Sequence, residues 1–216
     1  FTGRFCVCCP YVLHLNLGAH MQTEWTDSLS ASDISDLAEL LLAIIASPAS
    51  IGFLADTNLI TAKNYWQQLN LSHKKLALIR DDTGHIVATV QLNLASAGNS
   101  SHRGEIAKLM VHPQAQGLGL SKQLLLDTVS LARTLGLSLL VLDTLNDSKA
   151  AHIYAHLGWT KAGSIPRYAS MPNGELAATT YYYLELVWDF TKHNKAACKH
   201  LQAAFVYAVS VFYISD

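Results

Sequence analysis

The chain has 216 residues, half of them apolar and only 14% charged, with a formal net charge of −1. That length suits a single domain with a substantial core, while near-neutrality offers nucleic acid or an anionic membrane no footing. An anionic ligand would have to be held locally, by backbone amides more than by a field of lysines.

Cys6, Cys8 and Cys9 crowd one end and Cys198 stands alone near the other. Without regularly spaced pairs, a disulfide scaffold is disfavoured and a cytoplasmic location expected. Cys6, Cys8 and Cys9 with His14 and His20 can be read as metal ligands, but the paired C-x₂-C spacing of zinc sites is missing, and no metal is expected. Phe1–His20 reads as an extension of unclear origin ahead of a domain at 21–187 that opens with helical patterning at Met21. A signal peptide running from Arg4 to Ala19 is the competing reading, opposed by Pro10, His14 and Asn16 in its apolar stretch.

Ser32 or Asp33 can cap a helix that places Ile34, Leu37, Ala38, Leu41 and Ile45 on one face and ends at Ser47-Pro48. The apolar segment from Ser50 to Asp56 reads as a loop bordering a pocket, followed by a helix over Thr61–Leu69. Leu76–Arg80 and His85–Leu94 read as strands joined by the turn Asp81-Asp-Thr-Gly84. A polar loop at Ser96–Ser101 leads to a strand at 104–112. A glycine-containing turn and a helix over Lys122–Leu135 follow. Leu137–Asp143 is apolar almost throughout, as a strand buried on both faces is. Ser148–Leu157 is a short helix closed by Gly158. Trp159–Ser164 and Thr179–Val187 are strands around a turn at Pro172-Asn-Gly174. The tail 188–216 includes the apolar run His200–Ile214, too short and interrupted for a membrane span of about 20 residues. The order describes an α/β domain on a mixed sheet.

The turn His112-Pro-Gln-Ala-Gln-Gly-Leu-Gly-Leu-Ser121 is the most informative stretch. A strand that passes through glycines into a helix start offers free amides and the positive end of a helix dipole, a place for phosphate. It is not a dinucleotide fingerprint, because a third glycine is missing and the turn does not open the fold. A Walker loop is excluded, since no Gly-Lys-Ser/Thr occurs.

Gln116-Gly-Leu-Gly119-Leu-Ser121 in this element order resembles the signature of the GNAT acetyltransferases, Gln/Arg-x-x-Gly-x-Gly/Ala, with Ser121 where Gly or Ala is usual. Tyr154-Ala-His-Leu-Gly158-Trp159 resembles that family's second marker, Tyr-x-x-x-Gly-Phe. Further segments resemble the tabtoxin-resistance branch, whose members acetylate a β-lactam amino-acid toxin. They are Ala49–Asp56, Lys108–Pro113, Leu142–Thr144, Gly163–Tyr168, Pro172–Gly174 and Thr180–Tyr182. The resemblance implies a mostly antiparallel mixed sheet flanked by helices. The family's fourth and fifth strands, at 104–112 and 137–143 here, are its parallel pair and splay apart.

It also implies acetyl-CoA as co-substrate and a small-molecule amine, an antibiotic or amino-acid-like toxin, as acceptor. Acetylation of a protein N-terminus or lysine is one alternative, and a non-catalytic acyl-CoA sensor another. Acyl transfer to an amine needs a base, because an ammonium cannot attack, and a proton for the departing thiolate. Glu105 and Asp143, at strand ends, are candidate bases. Tyr154 matches the family's general acid. The cofactor would lie along Leu109, Met110 and Val111, with its pyrophosphate on Gln116, Gly117, Leu118, Gly119, Leu120 and Ser121. Asn146 and Ser148 would bond pantetheine amides or cap the next helix. His112 is expected to be structural and Lys108 a solvated or structural charge. A homodimer across the last strands is expected by analogy.

Overall fold

The computed structural model describes residues 21–47 and 51–186. The readings of the extension, the signal peptide, the cysteines and the apolar tail lie outside them. Seven strands form one mixed sheet in the order β1-β2-β3-β4-β5-β7-β6. They are β1 Thr23–Thr26, β2 Lys74–Arg80, β3 Ile86–Leu94, β4 Arg103–Val111, β5 Leu139–Leu145, β6 Thr160–Ser170 and β7 Leu176–Glu185. Only β4 and β5 are parallel, and every other pair is antiparallel.

Strand alternation sends successive side chains to opposite faces, and each face has its own helices. Leu76 and Leu78 join α1 (Ala31–Ile45) and α2 (Leu59–Gln67) in one core, through Leu37, Leu40, Leu41, Ala62 and Trp66. Ala77 and Ile79 join α3 (Leu120–Thr134) and α4 (Lys149–His156) in the other, through Leu124, Leu125, Ala151 and Tyr154. α1 begins where Ser30 and Asp33 form a reciprocal capping box, with the N-cap at Ser30, two or three residues before the Ser32 or Asp33 cap expected from sequence. No helix among the described residues is long and apolar enough to cross a membrane.

Two sequence expectations fail locally. The segment after Met21 is not helical: Thr23–Thr26 is an edge strand paired with Leu76–Ile79. β6 runs past Ser164 to Ser170, across an irregularity between Ile165 and Ala169 where Arg167 adopts a φ of 53°. Gly104 explains how β4 and β5 come together. A Cβ there would stand 2.8 Å from a methyl of Leu92, 2.9 Å from one of Leu137 and 3.1 Å from one of Leu140, so any larger residue would force these side-chain ends to shift.

Candidate active site

β4 and β5 are paired only where Arg103–Glu105 lies beside Leu139–Val141. Past that point β4 stays with β3 as far as Val111, while β5 follows β7 as far as Leu145. A wedge opens between the two strands, and Leu109–Val111 have no strand partner on that side among the described residues. The expected splay is present.

Within the wedge β4 carries a bulge. Thr89 pairs with Met110 but Gln91 with Ala107, so β4 holds one residue more than β3 over this stretch. Lys108 is in the bulge with a φ of 51°, a left-handed conformation uncommon outside glycine. The extra residue reverses the alternation: Ile106 belongs to the α3-side core and Met110 to the α1-side core, although they are four residues apart, a spacing that in a regular strand keeps both on one face.

The Lys108 side chain therefore turns toward the α1–α2 loop. Its Nζ donates to the Ile51 carbonyl at 2.7 Å and lies 5.2 Å from the centre of the Phe53 ring and 5.9 Å from that of Tyr65. Burial holds the ammonium below its usual pKa, against the favourable charges of Asp143 and Glu105. Of the solvated or structural charge expected at this position, the structure shows the second: the lysine is half-buried and tied to the loop.

Asp143 shares this face, since its neighbours Leu140 and Leu142 fill the opposite core and its cross-strand partner is Tyr181. Although it exposes surface, the cleft walls exclude enough water to raise its carboxyl above the usual range, an effect partly offset by Lys108. Glu105, beside Val141 and opposite Asn93, is exposed at the last paired step before the wedge. Its charge and that of Asp143 both act on Lys108 and on Tyr181. The Tyr181 hydroxyl is pushed up to about 12, first by the Tyr168 hydroxyl beside it.

Tyr154 comes from the other face. Its ring is 5% exposed, packed 5.9 Å from Trp159 and 5.8 Å from Tyr182. Burial, then the Asp143 charge, raises its hydroxyl well above the ordinary tyrosine range, so it is protonated at neutral pH. Asp143 and Tyr154 thus approach one another from opposite faces of the sheet, where the strands part.

At the outer end of the wedge, His112 accepts from the Gln114 amide and caps a single 3-10 turn, Pro113–Ala115, the structural role expected of it. Gly117 and Gly119 then adopt φ of 84° and 80°. α3 starts with no side-chain cap and no acidic residue in its first turn. Its first helical bond runs from Gln123 N–H to the Gly119 carbonyl, so the amides of Leu120, Ser121 and Lys122 have no helical acceptor. Such a start can hold an anion. Ser121 keeps its amide in this first turn and is half-buried.

Asn146 and Ser148 are already engaged. The Asn146 side chain accepts from Thr180 at 2.7 Å and donates to Asp147, while Ser148 caps α4 by accepting from the Ala151 amide. The apolar loop expected from sequence to border a pocket supplies Phe53 to the acceptor side, and the last two strands supply Tyr168 and Tyr181. Phe53 stands edge-on to Tyr65 at 5.1 Å, and Tyr168 edge-on to Tyr181 at 5.7 Å. The Ala55 amide donates to the Pro172 carbonyl at 3.1 Å, which joins the α1–α2 loop to the β6–β7 hairpin. A separate surface depression of about 520 Å³, between β1 and α3, includes none of these groups.

The chain is similar in fold to several solved acetyltransferases. One is a proposed phosphinothricin N-acetyltransferase, at 17% identity and a TM-score of 0.64, covering 77% of this chain and 100% of that one. Another, from Salmonella typhimurium and solved with its cofactor acetyl-CoA, has 17% identity and a TM-score of 0.63, covering 77% and 95%. A ribosomal-protein-alanine N-acetyltransferase from Brucella melitensis has 15% identity and a TM-score of 0.60, covering 75% and 99%. The family model "Acetyltransferase (GNAT) family" matches residues 45–159, more than half of the chain and the whole stretch from the end of α1 through the wedge to Trp159. The chain belongs to the GNAT acetyltransferases, enzymes that use acetyl-CoA as the acyl donor.

Proposed function

We propose that this enzyme acetylates the amine of a small polar acceptor, an amino-acid-like toxin or antibiotic, at the point where β4 and β5 part. One observation supports this most: Asp143 and Tyr154 reach the gap from opposite faces, the first able to accept a proton and the second holding one. Acetyl-CoA supplies an activated thioester carbonyl. The unpaired edge at Leu109–Val111 would take its pantetheine arm, and the amides from Gly117 to Ser121 its pyrophosphate, with Lys122 adding charge.

Asp143, with Glu105 orienting or substituting for it, removes a proton from the acceptor ammonium so that nitrogen can attack the thioester carbon. A backbone N–H near Met110 meets the oxyanion. The attacking nitrogen loses its second proton to water as the tetrahedral intermediate collapses and the C–S bond breaks, while Tyr154 donates its proton to the departing thiolate and recovers one from solvent. The joined loop and hairpin support a compact acceptor, because together they close the side an extended peptide would need open. The resemblance to the tabtoxin-resistance branch and the fold shared with a proposed phosphinothricin acetyltransferase agree with that class.

The test is free-thiol release from acetyl-CoA across amino acids, phosphinothricin, a β-lactam amino acid, aminoglycosides, polyamines and peptides. Turnover with a small amine is expected. Turnover with peptides alone would overturn the acceptor class, and acetyl-CoA binding without any turnover would favour a sensor.

A further inference from the structure

The bulge in β4 has a cost and a product. A lysine at a φ of 51° in mid-strand is strained, and what the strain delivers is an ammonium on the acceptor side of the wedge. There the ammonium bonds the Ile51 carbonyl and lies against the Phe53 and Tyr65 rings. The segment it holds is short and not helical: Ile51, Gly52 at a φ of 81°, and Phe53, ahead of the helix cap at Asn58. Three residues after Gly52, the Ala55 amide bonds the β6–β7 hairpin at Pro172. The loop is therefore held at both ends, by Lys108 on the sheet floor and by Pro172 on the opposite rim. A further bond, from Gln91 on β3 to the Tyr65 hydroxyl at 3.2 Å, fixes one of the two rings that flank the ammonium.

We propose that Lys108 is a positioning residue for the acceptor. Its ammonium ties the α1–α2 loop to the β4 bulge and so fixes the wall against which the amine is presented to Asp143. This rests on reading the wedge as the acetyl-transfer site. Lys108 exchanges no proton and touches no reacting atom; it acts through Ile51 to Phe53. An ammonium bonded to a carbonyl in partly dry surroundings is a stronger tie than a neutral hydrogen bond. Loss of the tie should weaken acceptor binding more than the chemical step.

The test uses the full chain and three variants that separate charge from backbone. Lys108→Met keeps the length without the charge. Lys108→Gly removes the side chain but suits the left-handed backbone. Lys108→Arg keeps a cationic donor. Amide hydrogen exchange over residues 51–58, the Ala55 amide included, should accelerate at least about tenfold in the Met and Gly variants. Amides of β2 and β3 should be unchanged, and Arg should restore slow exchange in the loop. With the amine that releases thiol fastest in the panel above, and at a pH where the rate no longer rises, Met and Gly should raise KM about tenfold. Their kcat should stay within about threefold, the pattern of lost binding rather than lost chemistry.

Unchanged loop exchange in both neutral variants would overturn the proposal. So would faster exchange with an unaltered KM, or a Gly variant that behaves like wild type while Met does not, which would make the effect one of backbone or bulk. A panel without turnover defeats the acceptor reading alone, and the exchange result then decides the tie by itself.

Discussion

Asp143 and Lys108 share one face of the sheet, and each alters the other's affinity for protons. Burial raises the carboxyl of Asp143 and the ammonium opposes that rise. Burial lowers the pKa of Lys108 and the carboxylates of Asp143 and Glu105 oppose that fall. The charged group bearing on Asp143 is thus Lys108, with the Tyr154 and Tyr181 hydroxyls protonated near it. A base works deprotonated, so kcat/KM should rise with pH through an acid limb placed above the ordinary carboxylate range. Lys108→Met removes the attraction that favours the ionised carboxylate and leaves the burial that disfavours it. The acid limb should therefore move to higher pH, and a limb at or below the wild-type position would contradict the coupling. Glu105 and Asp143 could be nominated from the sequence by the family resemblance and by expected strand-end positions, although in the structure Glu105 is the third residue of β4 and Asp143 the fifth of β5. The inward turn of Lys108 could not be read there: simple alternation assigns position 108 to the face of Ile106, and nothing in Arg103–Val111 marks a lysine for a positive φ.

The elements that local signals specify are the ones sequence reading recovered. α1 follows from its apolar period and its acidic cap. The Asp81–Gly84 turn follows from Asp81 accepting the Thr83 and His85 amides, with Gly84 at a φ of 89°. β1 was missed because four residues carry too little pattern, and its strand character comes from pairing with residues some fifty positions later. The extension of β6 was missed because the strand is exposed along nearly its whole length, so no alternation identifies it. The parallel contact itself depends on Gly104, which lets Leu92, Leu137 and Leu140 close over β4. Gly104→Ala would press a methyl group on three leucines from three segments and should destabilise the fold by about 1–3 kcal/mol. Urea unfolding measures this directly. A neutral effect would mean that the leucines repack freely and that the glycine does not govern the β4–β5 contact.

Across the molecule the two helical layers do different work. The α3–α4 side supplies the uncapped helix start and the buried tyrosine, and the α1–α2 side supplies the acceptor wall. The wall side is fastened to the sheet by Arg80, which bonds Asp33 at the start of α1 at 2.7 Å and Glu24 on β1 at 3.2 Å. The Asp33 carboxyl is buried, which would raise its pKa, but the bond from Arg80 and those from Ser30 outweigh that and hold it below the usual range. Its stabilising effect is present above the ordinary carboxylate pKa and is lost as pH falls through the lowered one. Arg80→Met should cost about 1–3 kcal/mol at neutral pH by leaving Asp33 without its cation. The gap from wild type should narrow below about pH 4 as Asp33 protonates; a gap independent of pH would assign the loss to packing. The Asp143 charge acts on Tyr154 where β4 and β5 part, and Tyr154→Phe tests that pairing most directly, because it removes one oxygen and leaves the packing on Trp159 and Tyr182. With the fastest small amine, kcat should fall on the order of 10²-fold or more while acetyl-CoA affinity stays within about twofold. An unchanged kcat would take Tyr154 out of the reaction and contradict acid–base transfer across the split.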